Sequence, residues 1–401
     1  MNTRRFILKA APAVERHAGR IPDPVKRLRY LRCEMALLQR RAGAARPARY
    51  LNWVVIVAAF AVVPGPIPTG TAETFARERE LVIPIPDSSS VVPPAAPRVW
   101  RVETSNSFEL YSNGLRVDLT FAVHNRPRAP YPIFPLGGVV AAKYGTAPVG
   151  IVYHTTESQL PPFQEDKTRV LKRLGRNLLE MIRREGSYHY LIDRFGRVFR
   201  IVDESDAANH AGSSVWADAG GIYVNLNDSF LGVAVEGQTG AVGEVTPAQI
   251  SAAKVLTEML RSRYHIAAED CITHAQVSVN PLNMRIGAHV DWAGKFPFAE
   301  VGLPDNYAIP LPSLYAFGFD HDATFLEVTG GRWKGLDLAE ERVERQAAAQ
   351  GLSGVRFKAI LRRRYKDIAA ALKQQAAQDA AATSVLDTTA AQPPARGKSE
   401  E

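Results

Sequence analysis

The chain has 401 residues, 46% hydrophobic and 22% charged; this composition supports a buried core and excludes a wholly disordered or collagen-like chain. Its net charge of +8 is concentrated at one end: residues 1–50 carry 13 Lys and Arg against Glu15, Asp23 and Glu34, a sum of +10, which leaves −2 for the other 351. A basic nucleic-acid-binding face is therefore not expected of the folded part, and the two cysteines, Cys33 and Cys271, exclude a disulfide framework.

Residues 1–72 read as a basic N-terminal segment with an export signal. Trp53–Val63 (WVVIVAAFAVV) is an uncharged run of 11 residues, preceded by Arg40, Arg41, Arg46 and Arg49 and followed by Pro64, Pro66 and Pro68. It falls short of the ~20 residues that cross a bilayer as a helix. It matches the apolar region of a signal peptide, and Gly70-Thr71-Ala72 supplies small residues for cleavage. An uncleaved anchor, giving membrane association through residues 53–63, and a short buried helix are the alternatives. The expected location is the periplasm or cell envelope. Residues 73–97 form a Pro-rich linker. In residues 98–146 the runs RVWRVET and LRVDLTFAV, split by Ser112-Asn113-Gly114, indicate a β-hairpin extension.

From residue 147 to 300 the pattern is mixed α/β, a central mixed β-sheet flanked by helices. GIVYH (150–154) is a short strand, and residues 164–185 place Val170, Leu171, Leu174, Leu178, Met181 and Ile182 on one helical face. YHYLID and RVFRIV flank Arg194-Phe195-Gly196 as a second hairpin, and LGVAVEG (231–237) is a buried strand. Thr246-Pro247-Ala248-Gln249 is a capping box that opens a helix to about residue 264. Cys271–Thr273 is a strand end delivering His274. Residues 301–380 are a proline-punctuated loop followed by a helical extension with a Gly351–Gly354 break, in which Arg362, Arg363, Arg364 and Lys366 read as a solvated face. Residues 381–401 read as a disordered tail. Nothing in the sequence sets an oligomeric state.

Six of the nine histidines, at 154, 189, 210, 265, 274 and 289, lie between residues 154 and 289. His154 ends one strand and His274 follows another, and strand C-terminal ends are where α/β sheets place binding crevices. Asp291 sits in a Gly-Ala-His-Val-Asp-Trp turn. Two imidazoles and a carboxylate give zinc three protein ligands and leave a fourth position open, the arrangement of catalytic rather than structural sites. His189, next to Tyr188 on a strand, points to the opposite face and reads as structural. His265 fits a helix C-cap.

GIVYHTTES, SYHYLIDRFGRVFRIV, NHAG, SFLGVAVEG, THAQVSVNP and HVDWAGKFPF stand in the order and context of the zinc-dependent type 2 N-acetylmuramoyl-L-alanine amidases and peptidoglycan recognition proteins, and residues 147–300 resemble that family. The resemblance implies zinc on His154, His274 and Asp291, with Asn280 and His289 as other candidates for the third ligand, because the gap from His274 to Asp291 is longer than usual in the family. It places the family's strand tyrosine on Tyr188, its lysine on His289 and its carboxylate base on Glu236, as catalytic groups. His210, with Asn209 before it, falls on an element that lines the family's substrate groove. The implied activity is hydrolysis of the amide between N-acetylmuramic acid and L-alanine in peptidoglycan or muropeptides. A non-catalytic muropeptide-binding protein on the same scaffold is the alternative.

Overall fold

The computed structural model describes residues 98–239, 245–321 and 323–390. The apolar segment 53–63, the Pro-rich linker and residues 391–401 lie outside them. Among the described residues no helix is long and apolar enough to cross a membrane.

Eight strands form the main sheet: β1 (Arg101–Thr104), β2 (Phe108–Tyr111), β3 (Arg116–Asp118), β4 (Gly150–Thr155), β5 (Tyr190–Ile192), β6 (Val198–Arg200), β7 (Phe230–Val235) and β8 (Cys271–Thr273), in the order β1-β2-β3-β6-β5-β7-β4-β8. The strands β5, β7, β4 and β8 run parallel, and antiparallel pairing is confined to β1/β2, β2/β3 and β5/β6. The N-terminal hairpin is therefore no separate extension. Its β3 pairs in parallel with β6 through Val117 and Val198, so it continues the central sheet.

Both faces of the sheet are covered, which explains why β4, β5 and β7 are buried along their whole length. Tyr153, Tyr190, Ile192, Val233 and Val235 pack with Leu256, Met259 and Leu260 of helix α2 (Pro247–Tyr264). The alternate residues Leu191 and Ala234 pack with Leu178, Leu179 and Ile182 of helix α1 (Thr168–Glu185). The buried stripe of α1 takes Leu179 rather than Met181, whose side chain is exposed. α2 begins as its sequence dictates: Thr246 accepts from Gln249 N–H, Gln249 accepts from Thr246 N–H, and Pro247 needs no donor in the first turn. His265 closes it in the left-handed conformation.

A short helix α3 (His274–Val277) follows β8 directly. Beyond residue 300 come α4 (Lys334–Ala349) and α5 (Gly354–Ala390), separated at the expected glycines. α5 continues as helix through residues 381–390, the start of the segment expected to be disordered. Its basic cluster is not a uniformly solvated face. Arg364 is buried and donates to the carbonyls of Pro135 and Gly138, while Arg362 pairs with Asp320.

Candidate metal centre

Because β4 and β8 are parallel neighbours, their C-terminal ends emerge side by side, with His154 next to last in β4 and His274 immediately after β8. Asp291 reaches them although it lies 17 positions beyond His274. Val279–Asn280 and Arg285–Ile286 pair as a two-stranded ribbon that folds the extra length outward, with Leu282 almost fully exposed at its tip. The chain returns, and Ala275 N–H bonds to the Asp291 carbonyl at 3.2 Å.

The three side chains converge. His154 Nδ1 lies 3.1 Å from Asp291 Oδ2, and His274 Nδ1 lies 3.0 Å from Asp291 Oδ1. One donor atom from each residue falls within 4.8 Å of the others, and all three residues are buried. Ligands on ~2.0 Å bonds in a tetrahedron stand about 3.3 Å apart, so the donor set suits zinc in size and kind. The charge states suit it also. Burial, reinforced by His274, pushes the His154 imidazole down to about 4, so it is neutral near pH 7. Burial alone would raise the Asp291 carboxyl, but the adjacent His274 and His154 outweigh this and hold it well below the usual carboxylate range. A neutral imidazole and an ionised carboxylate are the metal-binding forms.

The outer nitrogens fix which inner nitrogens are presented. His274 Nε2 donates to the Ala211 carbonyl at 3.4 Å, which turns Nδ1 inward towards Asp291. His154 Nε2 meets His210 Nδ1 at 3.1 Å, and His210 Nε2 meets the Phe230 carbonyl at 3.2 Å. A carbonyl only accepts, so His210 carries its proton on Nε2, its Nδ1 accepts from His154 Nε2–H, and His154 Nδ1 is left for a metal. The His210 ring lies against Gly232 of β7, where an added Cβ would stand 2.6 Å from its Cγ.

This arrangement puts His210, expected at the substrate groove, behind His154. His210 is buried with both ring nitrogens engaged, and the Asn209 amide donates to the Glu185 carbonyl at the end of α1. Tyr188 is not in a strand. It precedes β5 with φ +60°, half-buried, its ring centroid 4.9 Å from that of His154. Burial raises its phenol, which therefore keeps its proton. His189 lies away from the cluster, accepting from Gly232 N–H and contacting Arg128 and the Asp206 carbonyl. His289 is exposed and stacks on His274, centroids 4.5 Å apart and rings 17° from parallel. Asn280 belongs to the ribbon and accepts from Leu282 N–H.

Glu236 follows β7 and occupies a neighbouring pocket of about 390 Å³, whose wall includes Thr155 and Trp292, the residues after His154 and Asp291. Its Oε2 accepts from Arg194 N–H at 3.1 Å. Burial raises its carboxyl, with the Arg194 hydrogen bond opposing. Arg194 and Lys295 line the same pocket.

Residues 144–291 match the sequence model of a family described as N-acetylmuramoyl-L-alanine amidase. A curated relative, N-acetylmuramoyl-L-alanine amidase AmiD of Escherichia coli (strain K12), is 31% identical over 116 residues, which span 25% of this chain and 41% of that protein. The chain thus spans well under half the length of the curated relative it matches. Among solved structures, AmpDh3 from Pseudomonas aeruginosa in complex with anhydromuramic pentapeptide is 22% identical over 42% of this chain and 67% of its own, with a TM-score of 0.31. AmiD from E. coli in complex with anhydro-N-acetylmuramic acid-L-Ala-D-gamma-Glu-L-Lys is 25% identical over 41% and 59%, with a TM-score of 0.30.

Proposed function

We propose that the protein, whose residues 144–291 match the N-acetylmuramoyl-L-alanine amidase family model, is a zinc-dependent hydrolase of peptidoglycan or muropeptides that cleaves the amide between N-acetylmuramic acid and L-alanine. The observation that carries this reading is the convergence of His154, His274 and Asp291 with both Nδ1 atoms turned inward. It also weighs against a purely binding role, which needs no such donor set.

Zinc held there would activate water towards hydroxide near neutral pH and polarise the scissile carbonyl. The chain's own groups do the rest. Glu236, whose burial raises its proton affinity, takes the proton of the attacking water and passes it to the leaving amine. Tyr188, kept protonated, donates a hydrogen bond to the oxygen on which charge develops. His289, exposed and stacked on His274, supplies a second donor. Arg194 and Lys295 offer cations to the carboxylates of the stem peptide in the pocket beside Glu236. An export signal in residues 53–63 would deliver the enzyme to the periplasm or envelope, where this substrate lies.

Incubation with purified muropeptides and mass spectrometry of the products tests the reading. Free stem peptide with an N-terminal alanine is the expected product, lost in His274→Ala and after chelation. Release that survives both contradicts it.

A further inference from the structure

Two adjacent residues beyond the matched region touch the supports of two proposed zinc ligands, His274 and Asp291. Asn306 and Tyr307 sit on a single 3₁₀ turn, Asn306–Ala308, which is capped by Asp305. Asn306 is 1% exposed. Its Nδ2 donates to the carbonyls of Ala268 and Cys271, at 2.7 and 2.8 Å, pinning the start of β8. Its own carbonyl accepts from Gln276 Nε2 at 2.8 Å. Gln276 Oε1 in turn accepts from Thr273 N–H at 2.9 Å, so the backbone on either side of His274 is held from one point.

Tyr307 does the same for the turn after Asp291. Its hydroxyl donates to the Trp292 carbonyl and accepts from the N–H groups of Lys295 and Phe296, at 3.1 and 3.0 Å. One donor and two acceptor sites are all a phenol has, and this turn uses each of them. Trp292 needs such a clamp, since its φ is +61°, a conformation that side-chain-bearing residues adopt only when their surroundings impose it. Phe296, fixed in that turn, stacks on Tyr153 at 4.2 Å, next to His154 in β4.

We infer that Asn306 and Tyr307 are positioning residues for the metal centre, and that the segment after residue 300 sets the geometry at which His274 and Asp291 meet. The inference rests on zinc being bound as proposed above. Ligand orientation by surrounding hydrogen bonds changes metal affinity by about 10- to 100-fold in known sites. Positional errors matter at a centre where three ligands from distant points of the chain must converge.

The test uses the full chain with zinc, and with cobalt(II) as a spectroscopic probe. Zinc affinity is read by competition with a chromophoric chelator, and ligand geometry by the visible absorption of the cobalt-substituted protein. Tyr307→Phe keeps the ring that packs on Phe298 and Trp333 and removes only the hydroxyl. Asn306→Asp keeps the size and removes the donor. Each is expected to weaken zinc binding about 10-fold or more and to shift the cobalt spectrum. Leu314→Ala, which truncates a buried core residue of the same segment, is expected to lower the melting temperature while leaving affinity and spectrum as in the parent. Wild-type affinity and spectrum in both Tyr307→Phe and Asn306→Asp overturn the inference, as does a spectral shift in Leu314→Ala equal to theirs. Failure of the parent protein itself to bind zinc would instead remove the proposed function on which the inference stands.

Discussion

Which nitrogen an imidazole offers to a metal depends on what its other nitrogen is bonded to. His154 is set by a relay that starts at a backbone carbonyl, Phe230 O, and passes through His210. The relay needs the bare face of Gly232 to hold the His210 ring. His210→Ala should weaken zinc binding about 10- to 100-fold. Gly232→Ala should do so as well, by pushing His210 aside, and the double variant should be no worse than His210→Ala alone, because the two changes break one connection. Chelator competition on the three variants checks this, and additive losses would count against the relay. His154 and His274 were legible in the sequence because they sit in ordered motifs at strand ends, and Asp291 because it sits in the motif turn that follows them. The role of His210 was not, because its partner lies 56 positions away and no local spacing marks it.

The elements around the ligands were foreseen where a local rule dictates them: the capping box of α2, the β5/β6 hairpin and the apolar strand β7. The expectation of a strand at Tyr188 did not hold. β5 begins two residues later, and the left-handed backbone at Tyr188 accompanies its ring's position by His154. Asp270, in the turn that leads into β8, gives a pH test of the packing there. It is buried and accepts from Trp216 Nε1 at 2.8 Å. Burial, with Asp218 adding to it, raises its carboxyl to about 7, against ~3.9 in an unfolded chain. The folded state therefore binds this proton more tightly than the unfolded state. Its contribution to stability is fully present below about pH 4 and is lost as pH rises through about 7. Asp270→Asn keeps an acceptor for Trp216 and has no charge to bury. Its melting temperature should exceed that of the parent at pH 8, and the difference should shrink as pH falls to 5. Thermal denaturation across that range checks it, and a difference that does not change with pH contradicts it.

At the scale of the whole molecule, the sheet is longer and the C-terminal segment more deeply involved than the sequence indicated. Buried Arg200 binds Glu109 at 2.6 Å and so ties the N-terminal hairpin to β6. Arg364 reaches back to Pro135 and Gly138, 229 and 226 positions away. Contacts of that range leave no periodic trace, so residues 98–146 and 301–380 read as appendages when they are parts of the fold. The matched region ends at residue 291, yet the bonds that hold its last ligand come from beyond it. The most direct measurement is the zinc content of the purified full chain beside those of His154→Ala, His274→Ala and Asp291→Ala, each dialysed against the same buffered zinc. One zinc per parent chain, and much less in each of the three variants, is the predicted result. A parent without zinc, or a variant that retains it in full, would contradict the shared site.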